Sequence, residues 1–145
     1  MTRLLIIACS KTKKPYSGRA IDVYDGPSFR ILRKYLSFHD DVDVVIVSSK
    51  YGIISSETKI EPYDEYLSEQ QIHEFRQRYE PFIREICSRY EDIFYMKFMT
   101  ATYDIIPKDI KIREPAKGPI GIKLKSFSEW LKEGDITSEA DVYWT

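Results

Sequence analysis

Leu4-Leu5-Ile6-Ile7-Ala8-Cys9-Ser10-Lys11-Thr12-Lys13-Lys14-Pro15-Tyr16 is an apolar run that stops abruptly at a cysteine, a serine and a cluster of lysines. A short apolar run without polar alternation fits a strand covered on both faces, the usual state of a strand in a parallel sheet. A second run, Val44-Val45-Ile46-Val47, stops in the same way at Ser48-Ser49-Lys50-Tyr51-Gly52. Between the two, Pro27 suits the first turn of a helix, and Phe29, Leu32 and Leu36 mark one helical face. Strand, helix, strand in that order predicts a parallel crossover. Both strands then end at the same sheet edge, and the polar residues that follow them meet there.

Further along, Ser68 and Gln71 form a capping-box signature. Ile72, Phe75, Tyr79, Phe82, Ile83, Ile86 and Tyr90 then recur at helical spacing. Pro81 lies inside that pattern and predicts a kink or two abutting helices. Residues 93–99 read as a third strand, 101–106 as a short turn or helix, and Ile110-Lys111-Ile112 as a fourth, short strand. Ser126 with Glu129 reads as a second capping box, opening a short helix through Phe127, Trp130 and Leu131 that Gly134 stops. Residues 11–25 and 53–66 read as two long loops punctuated by proline and glycine. The fold expected is α/β: a three-layer domain over residues 1–145, with a mainly parallel sheet of about four or five strands and helices on both faces.

At 145 residues with 43% hydrophobic and 31% charged side chains, the chain has the length and composition of one folded domain. The formal net charge of −1 supplies no global attraction to nucleic acid. Charge is nevertheless uneven, since Arg3, Lys11, Lys13, Lys14 and Arg19 precede the first acid, Asp22. Cys9 and Cys87 are the two cysteines, too few for a disulfide scaffold, so a reduced, cytoplasmic setting is expected. With His39 and His73 as the two histidines, no zinc-ligand spacing can be drawn, and neither metal nor cofactor is expected. Neither a signal peptide nor a membrane span is expected from the apolar runs.

Cys9 ends the first strand, where open α/β sheets place ligands, and admits two readings. It is a nucleophile whose thiolate is favoured by Lys11, Lys13 and Lys14, or a small buried residue of the core. Ser10 to Lys14 offers amides and ammonium groups to an anion, without the glycines of a P-loop. In Ser49-Lys50-Tyr51-Gly52 the glycine permits a positive φ, and Tyr51 can stack on a planar ligand or donate a hydrogen bond. Pro62 would turn the chain so that Tyr63 and Asp64 reach back to the site as donor and acceptor.

Ala8-Cys9-Ser10-Lys11-Thr12-Lys13 and Val23-Tyr24-Asp25-Gly26-Pro27-Ser28-Phe29 together resemble the opening of an uncharacterised domain family related to YaaA. Val47-Ser48-Ser49-Lys50-Tyr51-Gly52-Ile53-Ile54 followed by Ile60-Glu61-Pro62-Tyr63-Asp64 is similar to its second signature. Pro115, Gly118 and Ile120-Gly121 look like its closing motif. The resemblance implies a peroxide-stress or DNA-binding context and adds Gly118 and Gly121 to the site. A more distant likeness is to the core domain of archaeosine synthase, which attaches lysine to the nitrile of a deazaguanine base. There the cysteine lies one residue nearer to a Lys-Pro-Tyr-Ser motif than Cys9 lies to Lys14-Pro15-Tyr16-Ser17, and a later serine and histidine have no counterpart in residues 18–22. Only the idea of a nucleobase site carries over.

The expectation is an enzyme-like domain that binds a nucleobase or nucleotide-like ligand at the C-terminal sheet edge and modifies a nucleic-acid base with Cys9 as nucleophile. Cys9, Lys11 and Asp64 are the candidate catalytic residues. Ser10, Lys13, Ser49, Lys50, Tyr51, Gly52, Pro62, Tyr63, Gly118 and Gly121 are the candidate ligand contacts. The alternative is a non-catalytic DNA- or RNA-binding module of the oxidative-stress response, with lysines on phosphates and tyrosines on bases. The partner is therefore a small purine-like ligand or a nucleic acid, and no membrane.

Overall fold

Strand β1 (Arg3–Ala8) is buried at every position, as the apolar run Leu4–Ala8 demands, and Arg3 is buried with it. In the computed structural model, which describes residues 2–97 and 104–144 and the side chains of these up to residue 133, β1 lies between two parallel neighbours. One is β3 (Val42–Ser48), in register from Arg3 opposite Val42 to Ala8 opposite Val47. The other is β6 (Ile93–Met96), from Leu4 opposite Ile93 to Ile7 opposite Met96. Successive β1 side chains enter two different cores, because strand side chains alternate between faces. Leu5 and Ile7 pack with Phe29, Leu32, Phe127 and Trp130. Leu4 and Ile6 pack with Phe75, Ile83 and Cys87.

The expected helix after Pro27 is α2 (Pro27–Leu36), which turns Phe29, Leu32 and Tyr35 inward. Two expected loops contain more structure than their punctuation announced. Residues 11–25 include β2 (Gly18–Arg19) and the single turn α1 (Ala20–Val23), whose Ala20, Ile21 and Val23 are buried. Residues 53–66 fall partly in β4 (Gly52–Ser55), antiparallel to β3, and in β5 (Lys59–Ile60), which pairs with β2. These pieces are too short for a hydrophobic period to register, and their partners are remote in sequence. The sheet is thus mixed, in the order β4-β3-β1-β6 and mostly parallel.

Helix α3 (Glu69–Cys87) opens on the expected capping box, with the Ser68 side chain accepting from Gln71 N and Gln71 accepting from Ser68 N. It runs as one helix through Pro81, so of the expected kink or two abutting helices the second does not occur. Pro81 faces solvent, as does Gln77 one turn earlier, so the carbonyl deprived of its partner meets water.

The expected strand 110–112 is a single bridge instead, at Arg113 beside Phe94, because only Arg113 reaches the ladder (N to Ile93 O, 2.8 Å; O from Tyr95 N, 2.9 Å). The third strand spans Ile93–Met96, with Lys97 outside it, and the expectations for 98–103 fall outside the described residues.

Helix α4 (Ile120–Trp144) starts earlier than the Ser126 cap would place it and continues past Gly134. Ser126 sits inside the helix, donating to Lys123 O and accepting from Ala116 N, so it fastens the incoming loop rather than capping. One interior glycine costs a helix only about 1 kcal/mol, too little to end it alone.

Candidate functional site

The shared sheet edge is where the structure gathers most of the candidate residues. Cys9 N donates to Val47 O at 2.9 Å, continuing the β1–β3 ladder one residue beyond Ala8. This places Cys9 beside Ser49, with Sγ 3.8 Å from Ser49 Oγ. Gly52, at φ +81°, lets the chain reverse directly into β4, so Ser49, Lys50 and Tyr51 form a tight turn over the edge. A Cβ at Gly52 would stand 1.9 Å from the Tyr79 hydroxyl, so α3 also presses against this turn.

Segment 61–67 covers the edge and is held at both ends. At one end Ile60 is buried in β5, and the Tyr51 hydroxyl accepts from Glu61 N at 3.2 Å and donates to Glu61 O at 3.4 Å. At the other end is the Ser68 cap. In the middle Tyr63 descends onto three hydroxyls: Tyr24 at 2.7 Å, Ser48 at 3.0 Å and Ser49 at 3.2 Å. Proton counting orients the network, since each hydroxyl has one hydrogen. Tyr24 donates to Ser48 at 2.9 Å, so the Tyr24–Tyr63 bond must be donated by Tyr63, and the Ser48–Tyr63 bond by Ser48. The result is a closed ring, Tyr24 to Ser48 to Tyr63 to Tyr24. Ser48 Oγ further accepts from Lys50 N and Tyr51 N at 3.2 and 3.0 Å, tying the turn to the ring.

Electrostatics follow from burial. Desolvation pushes the Tyr24 phenol far above its usual value, and Tyr63 is raised by the same cause, with the nearby Cys9 thiol adding to it. Both phenols therefore remain protonated at neutral pH. Lys13 lies with its ammonium 4.3 Å from the Tyr63 ring centre, in a cation–π contact. Burial lowers its pKa, opposed by the charges of Cys9 and Asp64.

Cys9, Ser10, Lys11, Lys13, Ser49, Glu65 and Tyr66 line a cleft of about 40 Å³. One water needs roughly 10–15 Å³ of such space, so the cleft admits a terminal group and not a ring.

The remaining candidates take different places. Ser10 is tied internally, donating to Thr12 O at 2.6 Å and accepting from Gly26 N at 3.3 Å. Lys50 lies 3.9 Å from the Glu65 carboxylate and 5.5 Å from the Tyr51 ring centre. The Tyr51 hydroxyl is occupied by Glu61 and the Tyr63 proton by Tyr24, so neither group is a ready donor to a ligand. Pro62 and Asp64 are exposed on the covering segment. Gly118 and Gly121 stand at the start of α4 and are not among the residues that line the cleft. Gly118 has a φ of +133°, and a Cβ there would meet Ile122 at 3.3 Å, which gives the glycine a turn role.

Tyr24, Ser48, Glu65 and Tyr66 were missed as site residues. Tyr24 and Ser48 stand inside the quoted motifs, but no periodicity marks a hydroxyl that will meet another one 24 residues away. Among the described residues no group of three or more His, Cys, Asp or Glu side chains could hold a metal ion, and no helix is long and apolar enough to cross a membrane.

Fold and edge together define an α/β domain whose mixed sheet presents a cysteine, a half-buried lysine and a hydroxyl ring at the ends of two adjacent parallel strands. The chain belongs to a family of unknown function, DUF6884, whose model matches residues 4–122 and so takes in β1 through the first turn of α4. No curated protein and no solved structure matches the chain.

Proposed function

We propose that this edge binds a nucleobase or nucleotide-like ligand and that Cys9 attacks an electrophilic carbon of it, as in modification of a nucleic-acid base. The observation that carries the reading is the convergence of Cys9, Lys13 and Ser49 on one small cleft. A thiol with a neighbouring amine and a hydroxyl acceptor has the parts of an activated nucleophile. A cleft for one terminal group suits a nitrile presented by a larger body outside, Sγ adding to its carbon as one C–N π bond opens and the thiol proton passing to the nitrogen. In this reading Lys13 steadies the thiolate, Ser49 receives the thiol hydrogen bond, and the ring holds Tyr63 and its segment in place. Lys11 and Asp64 adjust the charge at the mouth. The relation to YaaA, a cytoplasmic setting, and a three-layer arrangement with α3 opposite α2 and α4 belong to the same proposal.

Competitive alkylation with iodoacetamide, read by peptide mass spectrometry, tests it. Cys9 should react faster than the thiol of an unstructured peptide, and Lys13→Met should slow it. Reaction of Cys9 at or below the rate of that peptide thiol, unchanged by Lys13→Met, would end the nucleophile reading.

A non-catalytic nucleic-acid-binding module, of the stress response in the sense of the family likeness, has its own support. Tyr16 and Tyr66 are 58% and 54% exposed, and Lys11 lies on the rim of the cleft beside Tyr66. Steeply salt-dependent retention of DNA or RNA on filters would favour it, whereas saturable binding of a free nucleotide favours the pocket.

A further inference from the structure

The cleft at Cys9 is too small for the body of any organic ligand of ordinary size, since ligand pockets are typically about 300–1,000 Å³. A second cleft of about 470 Å³ lies across the Ser49–Tyr51 turn, between that turn and α3, and Ser49 is a wall of both. We propose that this second cleft seats the body of an anion-bearing ligand, with Arg78 and Lys50 as its charge contacts, so that only a terminal group passes Ser49 to reach Cys9. The proposal rests on the reading that this sheet edge binds a ligand, and it adds to Lys50 the α3 wall that the sequence motifs leave out.

Its walls have the chemistry for such a ligand. Phe75 and Tyr79 lie tilted at 39° with ring centres 4.5 Å apart and offer an apolar, aromatic side. The Arg78 guanidinium lies 5.6 Å from the centre of the Tyr79 ring and makes no hydrogen bond or ion pair among the described residues. A planar fork of donors laid on an aromatic face is suited to a bidentate carboxylate or phosphate. Lys50 stands on the opposite wall, and its partner Glu65 is 3.9 Å away and more than half exposed, a loose pair that a ligand anion can replace. Glu74, the carboxylate on the α3 wall, accepts from Gln70 Nε2 at 3.3 Å, and the two cations outnumber it.

Guanosine 5′-monophosphate, guanosine and inorganic phosphate are the probes, titrated into the ¹⁵N-labelled full chain and read by amide shifts. The monophosphate should shift Gly52, Arg78 and Tyr79, and guanosine should bind about tenfold or more weakly, the usual scale of a charge-assisted contact. Arg78→Ala and Lys50→Ala should each weaken the monophosphate by about tenfold, while Arg76→Ala, an exposed change on the same helix outside the cleft, leaves it unchanged. Shifts confined to Cys9–Lys13 and insensitive to Arg78→Ala would overturn the second cleft and leave the nucleotide reading standing. Phosphate shifting Arg78 without any preference for the nucleotide would keep the anion cleft and overturn the nucleotide reading. No response to any of the three probes would overturn both.

Discussion

Ser48→Ala should be the most costly conservative change at the site, and its cost can be worked from the hydroxyl ring. Ser48 is completely buried. Its oxygen accepts from Tyr24, Lys50 N and Tyr51 N and donates to Tyr63. Removing it leaves the buried Tyr24 hydroxyl to turn toward Tyr63 and leaves two turn amides without an acceptor. Each unsatisfied buried donor costs about 1–3 kcal/mol, and the Lys50 and Tyr51 amides fall at the low end because water reaches their exposed side. The total is about 3 kcal/mol. At roughly 2–4 °C per kcal/mol for a chain of this length, the melting temperature should fall by about 6–12 °C. Tyr63→Phe opens the ring and strands the Ser48 proton, while Ser49, which also donates to Tyr63, keeps the Glu65 carbonyl at 2.8 Å, for about 1 kcal/mol. Urea unfolding followed by circular dichroism, with the denaturant slope unchanged, measures both. A Ser48→Ala protein within 1 kcal/mol of the parent, or a Tyr63→Phe protein less stable than Ser48→Ala, would refute the ring and its direction.

Gly52→Ala places a Cβ against the Tyr79 hydroxyl in a left-handed backbone conformation and should cost at least about 2 kcal/mol; adding Tyr79→Ala should recover the clash but not the strain, read by the same unfolding curves. Arg3 is buried with its guanidinium 4.5 Å from the Trp130 ring centre, donating to the Trp130 and Leu131 carbonyls, Tyr35 and Asp41. Arg3→Met should cost about 3 kcal/mol, the low end for a broken buried pair because Asp41 keeps some solvent; a change within experimental error would show that the clamp is idle. Tyr24 and Tyr63 have pKa values raised by burial, so their stabilising effect is complete below the ordinary phenol value of 10.0 and is lost as pH rises above it, where the unfolded chain releases protons the folded chain retains. A Tyr24→Phe/Tyr63→Phe protein should therefore show a shallower loss of stability above pH 10 than the parent, and equal slopes would exclude the two phenols as its source.

Several features were decided by sequence alone, each where a local rule and a long enough pattern agreed. The unalternated run 4–8 dictated a strand covered on both faces, Pro27 placed the start of α2, and Ser68 with Gln71 placed the start of α3. The order of these elements brought Cys9 and Ser49 to one edge, because parallel neighbours must end together. Tertiary structure decided the rest, where a partner remote in the chain supplied the energy. β2 and β5 exist only by pairing with each other, and β4 only because Gly52 reverses the chain onto β3. Pro81 was tolerated because its freed carbonyl faces water, a matter of which side of α3 is buried. The ring of Tyr24, Ser48 and Tyr63 joins three segments through single hydroxyls, which carry no period and no spacing until the fold brings them within 3.0 Å.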